Sequence, residues 1–253
     1  MKTIAVTSGK GGVGKSSLSA NLGVALSKLG YRTVIFDADL ALANLEVLLG
    51  TRAEFSLQHV VAEEKTLSEV VAKGPEGVGL IAGGSGIPVL MRSGPKKLNL
   101  FFDQVQDLSN STDVLIFDTS AGIDNKVMSF VKASDEVLLV TTPEPASVTD
   151  AYATIKTVFR NKKDAVVNVV VNMVTKESEA KEVFDILSRI TKDFTGHELH
   201  YAGYVRKDDN VGLSARARKP LVQLDKKSIA AVDMTKLASK LAPGEALSLE
   251  LAS

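Results

Sequence analysis

The 253-residue chain contains no cysteine. Disulfide scaffolds, zinc ribbons and iron–sulfur clusters held by thiolates are thereby excluded. Histidine is scarce: His59, His197 and His200 are the only three. His197 and His200 stand three apart in a stretch read as extended, where they point to opposite faces, so they are read as structural rather than metal-binding. No sign of charge prevails, with 30 Lys plus Arg against 30 Asp plus Glu. A chain-wide electrostatic case for nucleic acid or anionic lipid falls away, although a local one survives. No apolar run approaches the roughly 18 residues of a membrane-spanning helix. No Ser/Pro linker, internal repeat or compositional break divides the chain, and Met1-Lys2 leads straight into a strand-like run without a signal-peptide pattern. The expected setting is the cytoplasm.

What is present is an alternation of strand and helix signals around an apolar content of 45%. Apolar runs at residues 3–7, 32–36, 78–82, 114–117, 137–141 and 166–171 are bounded by polar or turn residues. Runs apolar on both faces suit central strands covered by helices on both sides. Helical spacing appears at 16–29, 146–159 and 176–192, the last with Glu and Lys three and four apart. Alternation at these lengths predicts one α/β domain over residues 1–242, a mostly parallel twisted sheet with right-handed crossovers, flanked by helices. The stretch 81–94, rich in glycine, is expected to be a mobile loop.

The sharpest signal is Gly9-Lys10-Gly11-Gly12-Val13-Gly14-Lys15-Ser16, which follows a strand and opens a helix. It fits the phosphate-binding loop G-x-x-x-x-G-K-[ST] in the context that motif requires. Glycines let backbone N–H groups turn inward on phosphate oxygens, and the helix N-terminus favours negative charge. Lys15 then meets the β- and γ-phosphates, and the hydroxyl of Ser16 ligates Mg²⁺, with Ser17 beside it. The plain alternative is a flexible glycine turn.

Carboxylates recur at strand ends. Asp37 and Asp39 close the run 32–36, and two acids there suit a metal-bound or attacking water; a polar strand-end turn is the bland reading. Asp118 closes the run 114–117, where a carboxylate reaches Mg²⁺ directly or through water. Gly122 lets the chain after it come close to a γ-phosphate.

Lys10-Gly11-Gly12-Val13-Gly14-Lys15 resembles the deviant Walker A signature of the MinD/ParA superfamily of P-loop ATPases (the SIMIBI class), a likeness that runs from Lys2 to about Ala242. It implies ATP or ADP with Mg²⁺ as cofactors, and an ATP-dependent homodimer in which Lys10 reaches the partner's nucleotide. Lys10, Lys15 and Asp39 take the catalytic roles, Asp39 orienting water with Asp37 as companion and Asn44 as the switch asparagine. Asp118-Thr119-Ser120-Ala121-Gly122-Ile123 is similar to the second switch. Thr141-Thr142-Pro143-Glu144-Pro145 and Asp150 resemble a segment that adds an acid to the dimer face. Asn172 matches the asparagine that reads adenine, with an amide that offers both donor and acceptor; a turn residue is the alternative. Thr175-Lys176-Glu177-Ser178 lacks the aspartate of guanine-specific loops, which disfavours GTP.

Residues 175–182, 201–204, 207–209 and 218–221 look most like the MinD-like regulators of flagellar number and placement, FlhG or FleN. That branch implies slow ATP hydrolysis stimulated by a regulatory protein, acting at the cell pole or the inner membrane. The N-terminal glutamine-motif extension common there is not expected here, because the first strand begins at residue 3. Residues 243–253 carry two acids, no base, and Leu247, Leu249 and Leu251 at period two, so a flexible or edge-packed tail is expected rather than a membrane helix. A ParA-like alternative is nonspecific DNA binding through Arg206, Lys207, Arg216, Arg218, Lys219, Lys226 and Lys227, against a solvated helix face as the bland reading. A monomeric kinase or ligase acting on a small molecule, and a silent ATP-binding module, are the other rivals.

Overall fold

A computed structural model describes residues 1–39 and 44–244. In chain order the elements are β1 Lys2–Thr7, α1 Lys15–Lys28, β2 Thr33–Ala38, α2 Leu45–Leu49, α3 Leu57–Val61, β3 Ala72–Lys73, β4 Gly79–Ala82, α4 Gly86–Arg92, α5 Pro95–Asp107, β5 Val114–Thr119, α6 Asn125–Ala133, β6 Glu136–Thr141, α7 Pro145–Asn161, β7 Val166–Val174, α8 Glu177–Thr195, β8 His200–Arg206, α9 Asn210–Arg216, α10 Leu221–Leu224 and α11 Ile229–Leu241. Among the described residues, eight strands form one sheet in the order β3-β4-β2-β5-β1-β6-β7-β8. Every pairing is parallel except the short β3–β4 contact at one edge.

Alternate residues of each central strand enter different cores, as the two-residue period of a strand dictates. Ile4, Val6, Ile35, Ile116, Leu138 and Val140 pack with α1, α10 and α11 on one face. Ala5, Val137, Leu139, Val169 and Val171 meet α6, α7 and α8 on the other, and Phe36 and Phe117 meet α3, α4 and α5 beside them. There Phe36 and Phe117 lie 5.8 Å apart edge to face, and both approach Phe130. Runs buried on both faces therefore carry no alternation in sequence, which is why they read as solid apolar blocks.

One expectation is corrected. The glycine-rich stretch 81–94 is not an open loop, because it holds the end of β4 and all of α4. A Cβ on Gly86 would lie 2.4 Å from the backbone nitrogen of Gln58 and 2.6 Å from the carbonyl carbon of Leu57. That glycine admits the backbone of α3; it does not loosen the chain. The expectation for Leu247, Leu249 and Leu251 lies outside the described residues.

A candidate nucleotide site at the strand ends

The glycine loop spans the end of β1 and the start of α1. Gly12 and Gly14 hold φ of +82° and +86°, a region that L side chains enter only at a cost. A Cβ on Gly11 or Gly12 would meet no atom within 4 Å, so these two face open space. Gly9 differs: its Cβ would lie 2.2 Å from the carbonyl oxygen of Asp150, so Gly9 is where α7 rests on the loop. Asp150 thereby stands beside the loop, with its backbone carbonyl and Cβ against Gly9. Val13 is buried in the core and anchors the loop. Ser17 lies in the first turn of α1, and its carbonyl accepts from Asn21 at 2.8 Å.

Strand register builds the charged floor. Val6 of β1 and Asp37 of β2 both pair with Asp118 of β5, so three adjacent strand ends form one row. Lys15 Nζ donates to Asp118 Oδ1 at 3.1 Å and to Ser16 Oγ at 3.4 Å. Ser19 Oγ donates to the same carboxylate oxygen at 2.8 Å. The other oxygen, Asp118 Oδ2, is buried with no hydrogen-bond partner among the described residues. Asp37 is 2% exposed. Its Oδ1 accepts from the Asp39 N–H at 3.2 Å and its Oδ2 from the Leu45 N–H at 3.3 Å, which ties the end of β2 to the start of α2. Burial, and then the nearby charge of Asp118, push the Asp37 carboxyl up to about 7. Asp39 is half-buried beside it, and Asn44 is exposed just ahead of α2.

These residues fit Mg²⁺ and a phosphate chain. The donors are hard oxygens from Ser16, Asp37, Asp39 and Asp118, suited to a hard cation. The orphan Asp118 Oδ2 needs a positive or donating neighbour. A lysine, an open glycine loop and the N-terminus of a 14-residue helix converge on the same place.

The rim is tied down as well. Lys10 Nζ forms an ion pair with Glu144 Oε2 at 2.8 Å, the two side chains being 36% and 59% exposed. Ser8 Oγ donates to the Lys10 carbonyl, and the Gly122 N–H donates to the Ser8 carbonyl at 2.9 Å, so the loop after β5 hangs on the phosphate loop. Gly122 does this with φ +112°.

Asn172 stands beside the glycine loop and is bonded to it. Its Nδ2 donates to the Val13 carbonyl at 2.8 Å and its Oδ1 accepts from the Met173 N–H at 2.9 Å. It is also 7% exposed. The Nδ2 bond ties the amide to the glycine loop and the Oδ1 bond ties it to its own strand end, so one donor and one acceptor position of the amide are spent within the fold. Sequence reasoning missed Ser19, for which no motif position calls, and the engagement of Lys10 by Glu144. The acid of the Thr-Thr-Pro-Glu-Pro stretch was the available signal for the second.

The basic stretch is partly consumed by structure. Arg206 donates to both oxygens of the buried Asp233, at 2.8 and 2.7 Å. Counting it toward a DNA-binding surface is therefore corrected, while Lys207, Arg216, Arg218, Lys219, Lys226 and Lys227 remain exposed. His197 stacks on Phe159 at 4.1 Å, a structural role, and His59 accepts from the Ser56 N–H at the start of α3. Among the described residues, no helix is long and apolar enough to cross a membrane.

Comparison with known proteins agrees with this site. Residues 1–242 match the family described as ParA, NUBPL iron-transfer P-loop NTPase. The antiactivator FleN of Pseudomonas aeruginosa is 37% identical over 241 residues, which is 95% of this chain and 86% of that protein. The flagellum site-determining protein YlxH of Helicobacter pylori is 40% identical over 222 residues, 87% of this chain and 74% of that one. The solved MinC:MinD cell division complex of Aquifex aeolicus superposes with a TM-score of 0.79 at 26% identity, covering 95% of this chain and 96% of that one. With a glycine loop, a buried Lys15–Asp118 pair and one parallel sheet between helices, the chain belongs to the MinD/ParA family of P-loop ATPases.

Proposed function

We propose that this chain is a slow, Mg²⁺-dependent ATPase switch that pairs into a dimer on ATP and separates after hydrolysis. We further place it in the flagellar branch, as a regulator of flagellar number or position that acts at the cell pole or inner membrane and answers to a stimulating partner protein. The resemblance to FleN and YlxH supports that branch. The observation that carries the chemistry is the row Asp37–Asp118 beside Lys15 beneath open glycines.

Lys15 is held on Asp118 here, and a phosphate chain arriving above the loop offers it a second anion. Ser16, Asp37 and Asp118 would hold the metal ion, which withdraws charge from the phosphate oxygens. Asp39, at the open end of β2, is placed to orient the attacking water. Hydrolysis transfers the γ-phosphoryl group to that water, leaving ADP and inorganic phosphate, with positioning and electrostatics as the main sources of rate. Lys10 stands at the rim, outside this cluster, and is free to serve a facing protomer once it leaves Glu144.

The test is molar mass by light scattering together with phosphate release, for wild type and Asp39→Ala, in Mg-ATP and in Mg-ADP. A dimer specific to ATP that persists in the variant supports the switch. A monomer in every condition overturns it and favours phosphoryl transfer to a small molecule. The six exposed bases between residues 207 and 227 favour a second reading, nonspecific binding to DNA by the dimer, which a salt titration of DNA pelleting checks.

A further inference from the structure

Met173 occupies a position that packing alone does not call for. It is the bulged residue of β7: Asn172 pairs with Val205 and Val174 with Arg206, with the register shift between them. Its φ is +60°, left-handed for a long side chain, where glycine or asparagine is the usual occupant. The residue is nevertheless 44% exposed. The terminal Cε methyl group reaches the start of α1, 3.4 Å from where a Cβ on Gly14 would stand. A strained, half-exposed apolar residue beside a ligand loop is the kind of outlier that points to a use.

Topology supplies the direction of the ligand. The carboxylates suited to the metal and the terminal phosphate stand on β2 and β5, to one side of β1. A nucleotide whose terminal phosphate faces them must leave its base on the other side of the loop, over the ends of β6 and β7. There one donor of the Asn172 amide is taken by the Val13 carbonyl and one acceptor site by the Met173 N–H. What the end of β7 leaves exposed beside the loop is Met173.

We propose that Met173 is the contact platform for the nucleobase, a polarisable apolar surface against which the purine ring lies, and that the left-handed bulge exists to present it. This rests on the reading of the loop as a nucleotide site and assigns a residue to its base end. Thioether–aromatic contacts are favourable and tolerate variable geometry.

The test compares wild type with Met173→Gly, Met173→Ala and Met173→Leu, using calorimetric affinities for Mg-ATP and for Mg-tripolyphosphate, plus thermal unfolding of the free protein. Glycine adopts φ +60° without strain, so Met173→Gly should fold and unfold at a temperature equal to or above wild type. Its affinity for ATP should fall about two- to twelvefold, the range of a lost sulfur–aromatic contact. Tripolyphosphate, which has no base, should bind all four proteins equally. Met173→Leu should keep ATP affinity within about twofold of wild type, and Met173→Ala should follow glycine. Unchanged ATP affinity in the glycine and alanine variants overturns the platform. An equal loss of tripolyphosphate overturns it too, since the loop and not the base contact was then disturbed. A wild type that binds neither ligand overturns the nucleotide site itself and the platform with it.

Discussion

Gly12 and Gly14 have nearly the same backbone conformation but different surroundings, and that difference can be measured as stability. Alanine at either position meets φ of +82° or +86°, a left-handed conformation that costs an L residue about 1–2 kcal/mol. At Gly12 the new methyl enters open space, so that cost is the whole effect. At Gly14 the Cβ would lie 2.4 Å from Asn172 Nδ2. The amide must swing away, which breaks its bond to the Val13 carbonyl and leaves a buried acceptor to be satisfied, adding about 1–3 kcal/mol. Urea unfolding without nucleotide, followed by circular dichroism, should place Gly12→Ala about 1–2 kcal/mol below wild type and Gly14→Ala about 2–5 kcal/mol below. In a chain of this size each kcal/mol is also about 2–4 °C in Tm. The decisive arm repeats both in an Asn172→Ala background, where only the Met173 methyl stays near Gly14, at 3.4 Å and in ordinary contact, and the two alanines should cost the same. Equal costs in wild type, or an excess at Gly14 that survives the loss of Asn172, would refute the claim that this amide clamps the loop.

Three further predictions follow from single contacts. Folded Asp37 holds its proton up to about pH 7, whereas the unfolded chain releases it near 4; the folded state thus binds more protons between those values. Stability of the metal-free protein should therefore fall as pH rises from 4 to 7, by up to about 4 kcal/mol, and Asp37→Asn should flatten that slope in urea titrations. Glu144→Gln frees Lys10 from an exposed ion pair, a contact of small worth in each protomer. If Lys10 serves the facing subunit, the ATP dimer should tighten roughly two- to tenfold by analytical ultracentrifugation, and weakening would show that Glu144 acts across the interface instead. Gly86→Ala should cost about 1–3 kcal/mol by forcing α4 off the backbone of α3, whereas Gly84→Ala, with open space around it, should cost only the strain of φ +46°.

The glycine loop, Lys15, Ser16, Asp37 and Asp118 were readable because each is tied to its neighbours in sequence: a strand end, a motif spacing, a helix start. So was the parallel sheet, since strands covered on both faces must be apolar throughout. Three things were not readable. Composition makes residues 81–94 look loose, yet Gly86 is there because another helix passes within contact distance. Arg206 counts as a free cation until Asp233, 27 residues on, is brought beside it. Asn172 has the chemistry to read a base, and only the proximity of Val13, 159 residues away in sequence, ties one donor of that amide to the glycine loop.

The amino-acid order by itself determined the class of chemistry, because phosphate cradling depends on local backbone conformation, and local conformation is set by glycines and their immediate neighbours. Tertiary structure decided which polar groups are spent on the protein and which remain for a ligand. Asp118 Oδ2, the rim lysine on Glu144 and the exposed Met173 emerge only when distant strands come into register, since a hydrogen bond made within the fold removes a group from binding, and sequence spacing carries no record of that choice.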